Sequence, residues 1–212
     1  MPLPQPFRPT VYLAGPAVFD PDPDDIFAAM KRICARHGID GLSPLDNQAG
    51  LEAGAPGRLL ATAIVSADIA LMRQANAGVF CLDSFRRGPE MDPGTAFEIG
   101  YMHALGKPLA GWTRDPREYP ERVRAFFADT FGLTLAAAHP DGTGRQRDPD
   151  GVLVHSEGCL QNAMTQVGIE LSGGAVHADP AWTAAFDRAI ADLARRLPPT
   201  EADGPRGGSL KR

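Results

Sequence analysis

The chain alternates between two patterns of hydrophobic and polar residues. Four short runs are almost entirely apolar and are closed by glycine, proline, serine or aspartate, which is typical of buried strands in a parallel sheet. Between them, apolar residues recur at helical spacing. The strand-like runs are residues 10–14, 39–42, 77–82 and 108–112. The helix-like segments are residues 24–37, 58–75 and 93–105.

This alternation of strands and helices predicts an α/β fold of the doubly wound kind, flavodoxin-like or Rossmann-like. We expect a parallel five-stranded sheet with helices on both faces, although no segment is assigned to the fifth strand. One domain is expected over residues 10–197, between a flexible N-terminus at 1–9 and a disordered tail at 198–212. Within that domain, helices are also predicted at about 121–129 and 180–197, and an exposed polar loop at 139–151.

Composition narrows the classes of function. The 212 residues include 43% hydrophobic and 22% charged side chains, with a formal net charge of -5. An acidic chain is poorly suited to a nucleic-acid backbone, so no nucleic-acid polymer is expected as a partner. Three separated cysteines imply no disulfide framework, and no apolar stretch is long enough for a membrane span or a signal peptide. A cytoplasmic protein that does not bind membranes is therefore expected.

Polar residues collect at the expected carboxyl ends of the strands, where open α/β sheets bind ligands. Gly15 and Phe19 follow the first strand, and Asp46 and Gln48 follow the second. The third strand is followed by Asp83, Asp92 and Glu98. No histidine, cysteine or lysine lies among them, which indicates a carboxylate site without a metal. The phosphate-binding patterns of nicotinamide and ATP sites are absent, so no cofactor is expected.

Paired carboxylates are suited to breaking a glycosidic bond, since one can attack the anomeric carbon while another handles a proton. We expect Glu98 to be partly enclosed by Ala96 and Phe97. Burial should raise the pKa of Glu98, and a hydrogen bond from the hydroxyl of Tyr12 should lower it. Asp92 is predicted to be the exposed N-cap of the third helix. Taken singly, each of these residues has a common structural explanation, so the site hypothesis depends on their convergence.

Several motifs resemble those of the nucleoside 2-deoxyribosyltransferase family. The segment Tyr12–Pro16 with Phe19 is similar to the family's opening motif, and Asp92–Tyr101 resembles its D-x-G-T-x-x-E-x-G core. Residues 104–108 continue that core. Residues 157–164 resemble the late G-x-x-x-N-L-M motif, with alanine in place of the usual leucine. The resemblance extends from about residue 11 to residue 169, and the central motif is the most specific part.

The resemblance implies a role for each matching residue. Glu98 would be the nucleophile that takes up the deoxyribosyl group, Tyr12 would orient it, and Asp92 would contact the sugar hydroxyls or help with protons. The remaining substrate-binding positions would be Gly15, Phe19, Asp46, Gln48, Asp83, Asn162 and Met164. Of these, Gln48 and Asp83 would face the base. The substrates would be 2′-deoxynucleosides and free nucleobases.

The same resemblance implies an oligomer. Asn162 and Met164 would reach into the site of a neighbouring subunit, with Asn162 near the 5′-hydroxyl of the sugar. The protein would then be a homo-oligomer whose active sites are completed by a neighbouring subunit.

Two alternatives remain open. One is a hydrolase of 2′-deoxynucleoside 5′-monophosphates, which needs a phosphate pocket that is often rich in serine after the first strand. Here that turn is Gly15-Pro16-Ala17, without a hydroxyl, so transfer is favoured. The other is a non-catalytic nucleoside sensor on the same fold, against which the joint presence of Tyr12, Asp92 and Glu98 argues. The Phe85–Gly88 loop leaves purine or pyrimidine preference undecided.

Overall fold

The computed structural model describes residues 7–48, 57–135, 146–154 and 157–198. The predicted flexible residues 1–6, most of the predicted loop at 139–151 and the predicted tail after residue 198 lie outside this range. The strands are β1 Thr10–Ala14, β2 Asp40–Leu42, β3 Ala77–Cys81, β4 Leu109–Thr113, β5 Gln146–Arg147, β6 Leu153–Val154 and β7 Val176–Ala178. The helices are α1 Pro23–Arg36, α2 Arg58–Gln74, α3 Pro93–Ala104, α4 Tyr119–Phe131, α5 Ala163–Leu171 and α6 Trp182–Arg196.

The main sheet has five parallel strands in the order β2-β1-β3-β4-β7. This confirms the predicted doubly wound α/β fold. The chain leaves β1 towards β2 and then crosses back to β3, so the strand order reverses between β1 and β3. In sheets of this kind, the crevice at the carboxyl ends of those two strands is the usual ligand site.

Helices cover both faces of the sheet, as expected, and the period of two along β1 sends its side chains to opposite sides. Val11 and Leu13 pack into the core formed with α1 and α6. Tyr12 and Ala14 pack into the core formed with α2, α3 and α5. The sheet therefore separates two environments at its carboxyl edge, and Tyr12 belongs to the α2–α3 side.

The sequence did not predict helix α5 or the strands β5, β6 and β7. The fifth strand is β7, a three-residue segment with a histidine at its centre, so it has no apolar run that would mark it. Helix α5 follows the N-cap Asn162, whose side-chain oxygen accepts a hydrogen bond from Met164 N at 2.9 Å. The antiparallel pair β5–β6 is separate from the main sheet. Among the described residues, no helix is long and apolar enough to cross a membrane.

Candidate active site

A tyrosine and a glutamate meet on the α2–α3 side of the sheet. Tyr12 is fully buried in β1, and its hydroxyl donates a hydrogen bond of 2.5 Å to Oε1 of Glu98. Glu98 lies in the second turn of α3, which packs against β3 and reaches back over β1. The strand period and the helix position bring together two residues that are 86 positions apart.

Burial raises the pKa of Glu98 from its ordinary value to about 7, while the hydrogen bond from Tyr12 opposes that rise. The negative charges of Asp68 and Asp92 add to the rise. Burial also raises the pKa of the Tyr12 phenol, which keeps the hydroxyl protonated as a donor. Among the described residues, no Lys, Arg or His forms an ion pair with Glu98. The result is a partly buried carboxylate whose pKa is raised towards neutral pH.

The expected enclosure of Glu98 by Phe97 is wrong. Phe97 is 54% exposed and stacks on Tyr101 along the outer surface of α3, with ring centroids 6.0 Å apart. Adjacent residues on a helix point in directions about 100° apart, so Glu98 faces inward while Phe97 faces outward. The apolar enclosure of Glu98 comes instead from the core of β1, α2 and α3.

Asp92 is the N-cap of α3, as predicted from the Asp-Pro-Gly-Thr sequence. Its Oδ2 accepts hydrogen bonds from the backbone nitrogen of Thr95 at 2.8 Å and from Thr95 Oγ1 at 2.9 Å. The expectation that Asp92 is exposed is wrong, because only 7% of its surface is accessible. Oδ1 of Asp92 has no hydrogen-bond partner among the described residues.

Asp68 is a site residue that the sequence analysis missed. It lies on α2, is partly buried, and accepts a hydrogen bond from Gln48 Nε2 at 3.4 Å. Burial raises its pKa, and its charge in turn raises the pKa values of Tyr12 and Glu98. A signal was available, because Asp68 sits four residues before Met72 on the helix face that enters the core.

Gln48 and Asp46 both follow β2 but have different surroundings. Gln48 contacts Asp68, which places it beside the carboxylate cluster. The Asp46 carboxylate accepts hydrogen bonds from Lys31 Nζ at 2.5 Å and from the backbone nitrogen of Ser43 at 2.9 Å. These bonds close the capping box of the short 3-10 helix Pro44–Asn47. Asp46 therefore has a structural function in the described state.

Asp83 is buried at the end of β3 and is held by β4. Its Oδ1 accepts hydrogen bonds from Thr113 Oγ1 at 2.9 Å and from Arg114 N at 2.6 Å. Its Oδ2 accepts one from Arg114 Nε at 2.6 Å. Buried Arg122 donates to Leu82 O and to the same threonine hydroxyl, both at 3.1 Å. The two strand ends are thus joined by a network of charged groups.

Gly15 directly follows β1 and has a structural requirement of its own. A Cβ atom at this position would lie 2.7 Å from the Cβ of Cys81 on β3, so any side chain would push the two strand ends apart. Beyond it, the 3-10 helix Pro16–Phe19 ends in an exposed Phe19. Gly15, Phe19 and Asp83 border a cavity of about 650 Å³ on the α1–α6 side of the sheet.

Asn162 is the N-cap of α5 and Met164 lies in its first turn, and neither forms a hydrogen bond with the carboxylate cluster. Met164 is 85% exposed and Leu171 is 74% exposed, at a spacing of two helical turns with Val167 between them. Phe97 lies on the neighbouring helix α3, which packs against α5. Large apolar side chains clustered on one outer face are typical of surfaces that another protein covers.

The assembled groups suit chemistry at an electrophilic carbon next to a basic leaving group. Glu98 offers an oxygen nucleophile, Tyr12 fixes its orientation, and Asp68 and Asp92 offer carboxyl groups that can bind hydroxyls or exchange a proton. The arrangement joins Tyr12, Glu98, Asp92 and Gln48 from the predicted set and adds Asp68. Gly15, Phe19 and Asp83 lie at the adjoining cavity, while Asn162 and Met164 lie on the outer face.

Comparisons with known proteins agree with this fold. A family model described as nucleoside 2-deoxyribosyltransferase matches residues 11–164. An uncharacterized protein of Schizosaccharomyces pombe is 48% identical over 199 residues, which are 93% of this chain and 94% of that protein. A solved 2-desoxiribosyltransferase from Leishmania mexicana has a TM-score of 0.58 at 27% identity, over 86% of this chain and 97% of that chain. A conserved protein from Enterococcus faecalis V583 shares the fold, with a TM-score of 0.54 at 17% identity over 90% and 100% of the two chains.

Proposed function

The chain belongs to the nucleoside 2-deoxyribosyltransferase family, and from that premise we propose that it transfers a 2-deoxyribosyl group from one nucleobase to another through a covalent bond to Glu98. The observation that supports this most directly is the short hydrogen bond between Tyr12 and a partly buried Glu98, which has no cationic partner among the described residues. A carboxylate without an ion pair retains the electron density that a nucleophile needs.

In the first half of the reaction, ionised Glu98 attacks the anomeric carbon of a 2′-deoxynucleoside. A carbon–oxygen bond forms, the N-glycosidic bond breaks, and its electron pair goes to the base nitrogen. The base leaves more readily when it gains a proton. Asp68 is suited to donate that proton, because burial raises its pKa and because Gln48 fixes its orientation.

In the second half, the ring nitrogen of an incoming base attacks the same carbon. The ester bond to Glu98 breaks, its electron pair returns to the carboxylate, and the proton of the incoming base goes to Asp68. Two displacements at one carbon give overall retention of configuration. Water in place of the second base would give hydrolysis, which we expect as a slower side reaction.

Tyr12 and Asp92 support these steps without forming bonds to the substrate carbon. Tyr12 holds one oxygen of Glu98 at 2.5 Å, so the other oxygen is the one free to attack. Asp92 uses Oδ2 to cap α3, and its Oδ1 has no partner among the described residues. Oδ1 is therefore suited to accept a hydrogen bond from a sugar hydroxyl. Both residues help to maintain the position of the nucleophile.

We also propose that the protein works as a homo-oligomer whose sites are completed by a neighbouring subunit. The support is the exposed apolar face formed by Met164, Val167 and Leu171 on α5 together with Phe97 on α3. Covering such a face with the same face of a second copy is the simplest symmetric solution. Asn162 is exposed at one end of this face, where it could reach a neighbour's sugar site.

The test is incubation of the purified protein with a 2′-deoxynucleoside, with and without a second free base, followed by chromatography. The expected product is a new deoxynucleoside that contains the added base. Release of free base at the same rate with and without the second base would contradict transfer and favour a hydrolase. In that case 2′-deoxynucleoside 5′-monophosphates would be assayed next. Tight nucleoside binding with no product of either kind would favour a sensor.

A further inference from the structure

One cavity among the described residues does not contain the proposed nucleophile. It has a volume of about 650 Å³, within the range of cavities that enclose small molecules. Residues of β3, β4, α1 and α6 line it, and Tyr12, Asp68, Asp92 and Glu98 do not. It therefore lies with the α1–α6 core, on the opposite side of the sheet from the carboxylate cluster.

The walls of this cavity are aromatic. Phe19, Phe27 and Phe85 contribute rings, and so do Trp112 and Trp182. The chain has only two tryptophans, so both of them line the cavity. Aromatic walls favour a flat ring as the ligand, because rings stack at low entropic cost. The cavity is also several times larger than a single nucleobase requires, on the general scale of ligand pockets of about 300–1,000 Å³.

The exposed side chain of Arg86 lines the cavity and carries a positive charge. The guanidinium carbon of Arg86 lies 4.7 Å from the centre of the Phe85 ring and 5.7 Å from that of Phe19. The two rings are 5.5 Å apart. Arg86 forms no ion pair within the described residues, so cation–π contacts alone fix its position. Its charge is therefore free for a ligand.

The backbone beneath Arg86 is unusual. Arg86 and Arg87 both have positive φ, at 47° and 65°, in a turn closed by a hydrogen bond from Gly88 N to Phe85 O at 2.9 Å. Two consecutive positive φ values favour Asn or Gly in such turns. A non-glycine residue held in this region is strained, and strain of this kind is concentrated at ligand-binding positions. The arginine side chain is thus retained despite a backbone that favours other residues.

The other charged groups at the cavity leave this positive charge largely uncompensated. Asp83 is neutralised by Arg114, whose Nε donates to it at 2.6 Å. Arg114 is itself more than half exposed, and its terminal amino groups have no partner among the described residues. Asp20 also lines the cavity, but it is exposed on the rim and solvent screens its charge.

We propose that this cavity is a second ligand subsite, which takes a planar aromatic ring with an anionic substituent through stacking on Phe19 and Phe85 and a charged contact to Arg86. The assignment of the ring to a distal part of the substrate's base rests on the proposed function, since Gly15 lines the cavity and directly follows β1, the strand that contains Tyr12. The subsite itself is independent of turnover.

Three probes separate the ring from the charge. Orotate has a planar ring and a carboxylate, uracil has the same ring without the carboxylate, and inorganic phosphate has a charge without a ring. Binding is followed by tryptophan fluorescence, with free tryptophan amide as the control for absorption by the ligand. We expect orotate to bind at least about tenfold more tightly than either of the others, as one charge-assisted contact implies. Equal binding of uracil, or of phosphate, would overturn the proposal.

Two matched variants test the assignment to Arg86. Arg86→Gln is expected to weaken orotate binding about tenfold. Arg87→Gln changes the neighbouring residue of the same strained turn, which does not line the cavity, and is expected to leave binding unchanged. Equal losses in both variants, or no loss in Arg86→Gln, would contradict the proposal. Glu98→Gln should bind orotate normally. Transfer without orotate binding would refute the subsite alone, and orotate binding without transfer would refute the proposed reaction alone.

Discussion

Glu98 and Asp83 are two acids near the carboxyl edge of one sheet, the first partly buried and the second buried, and their surroundings are opposite. Asp83 accepts three hydrogen bonds from Thr113 and Arg114, and one of its donors is a guanidinium. Glu98 has one neutral donor, Tyr12, and further carboxylates as its nearest charges. The first environment stabilises a permanent negative charge, whereas the second makes the charge costly.

The difference shows which of two acids can act as a nucleophile. A carboxylate held by a guanidinium has its lone pairs engaged and its charge compensated, so it joins strands and resists attack on a substrate. The partly buried carboxylate of Glu98, without a cation beside it among the described residues, has a free oxygen and a pKa raised to about 7. The absence of a cationic partner is therefore as informative as the acid itself.

The largest expected effect is on turnover. Glu98→Gln keeps the size of the side chain and an oxygen that can accept from Tyr12, but an amide cannot form the ester. We expect transfer to fall by roughly three orders of magnitude or more, measured as initial rates of product formation. Glu121→Gln, the same change at an exposed residue of α4, serves as the matched control, and its rate per folded molecule should stay within about twofold of the unmodified protein.

Near-normal turnover in Glu98→Gln would refute the covalent mechanism.

Mixing Glu98→Gln subunits with Asn162→Ala subunits extends the test to the proposed oligomer. If Asn162 completes the site of a neighbour, mixed assemblies contain one intact site and should recover activity that neither variant has alone. Lack of recovery, with subunit exchange verified, would show that Asn162 does not act across an interface.

The next effect is on the free energy of unfolding, which substitution of the two acids should change in opposite directions. Asp83→Asn removes a charged acceptor from Arg114 and should lower the free energy of unfolding by about 2 kcal/mol. Glu98→Gln should raise it above pH 7. The folded pKa of Glu98 is about 7 against 4.5 for an unperturbed group, so its contribution is complete below about pH 4.5 and is lost as the pH rises through 7. The gain is up to about 3 kcal/mol.

Denaturant unfolding at pH 5 and pH 8.5, on the order of two units to either side of the folded pKa, measures this difference. The stabilisation by Glu98→Gln should be small at the lower pH and near its maximum at the higher pH. A loss of stability in Glu98→Gln at the higher pH would show that Glu98 has a compensating partner, and the contrast with Asp83 would then fail.

The surroundings of Glu98 could largely be predicted from the sequence, whereas those of Asp83 could not. Glu98, Asp92 and Tyr12 lie in motifs whose order along the chain places them at strand ends or helix starts, so their meeting could be predicted. Asp68 lies outside those motifs, and its spacing of four residues from Met72 becomes informative only once the face of α2 that enters the core is known. The partner of Asp83 depends on β4 lying beside β3, and Arg114 comes 31 residues later. Pairing of this kind is set by strand order, which no local pattern encodes.

The smallest expected effect tests the hydrogen bond that distinguishes the two acids. Tyr12→Phe removes the hydroxyl that lowers the pKa of Glu98 while burial continues to raise it. The pKa should therefore rise above 7, by about one unit for one charge-assisted hydrogen bond. The acidic limb of kcat/KM against pH reports this pKa in the free enzyme and should move to higher pH by the same amount. At alkaline pH, where Glu98 is ionised in both proteins, the rates should converge to within about tenfold. A limb that stays in place, with a uniform loss of rate at all pH values, would mean that Tyr12 positions the carboxylate without tuning its charge.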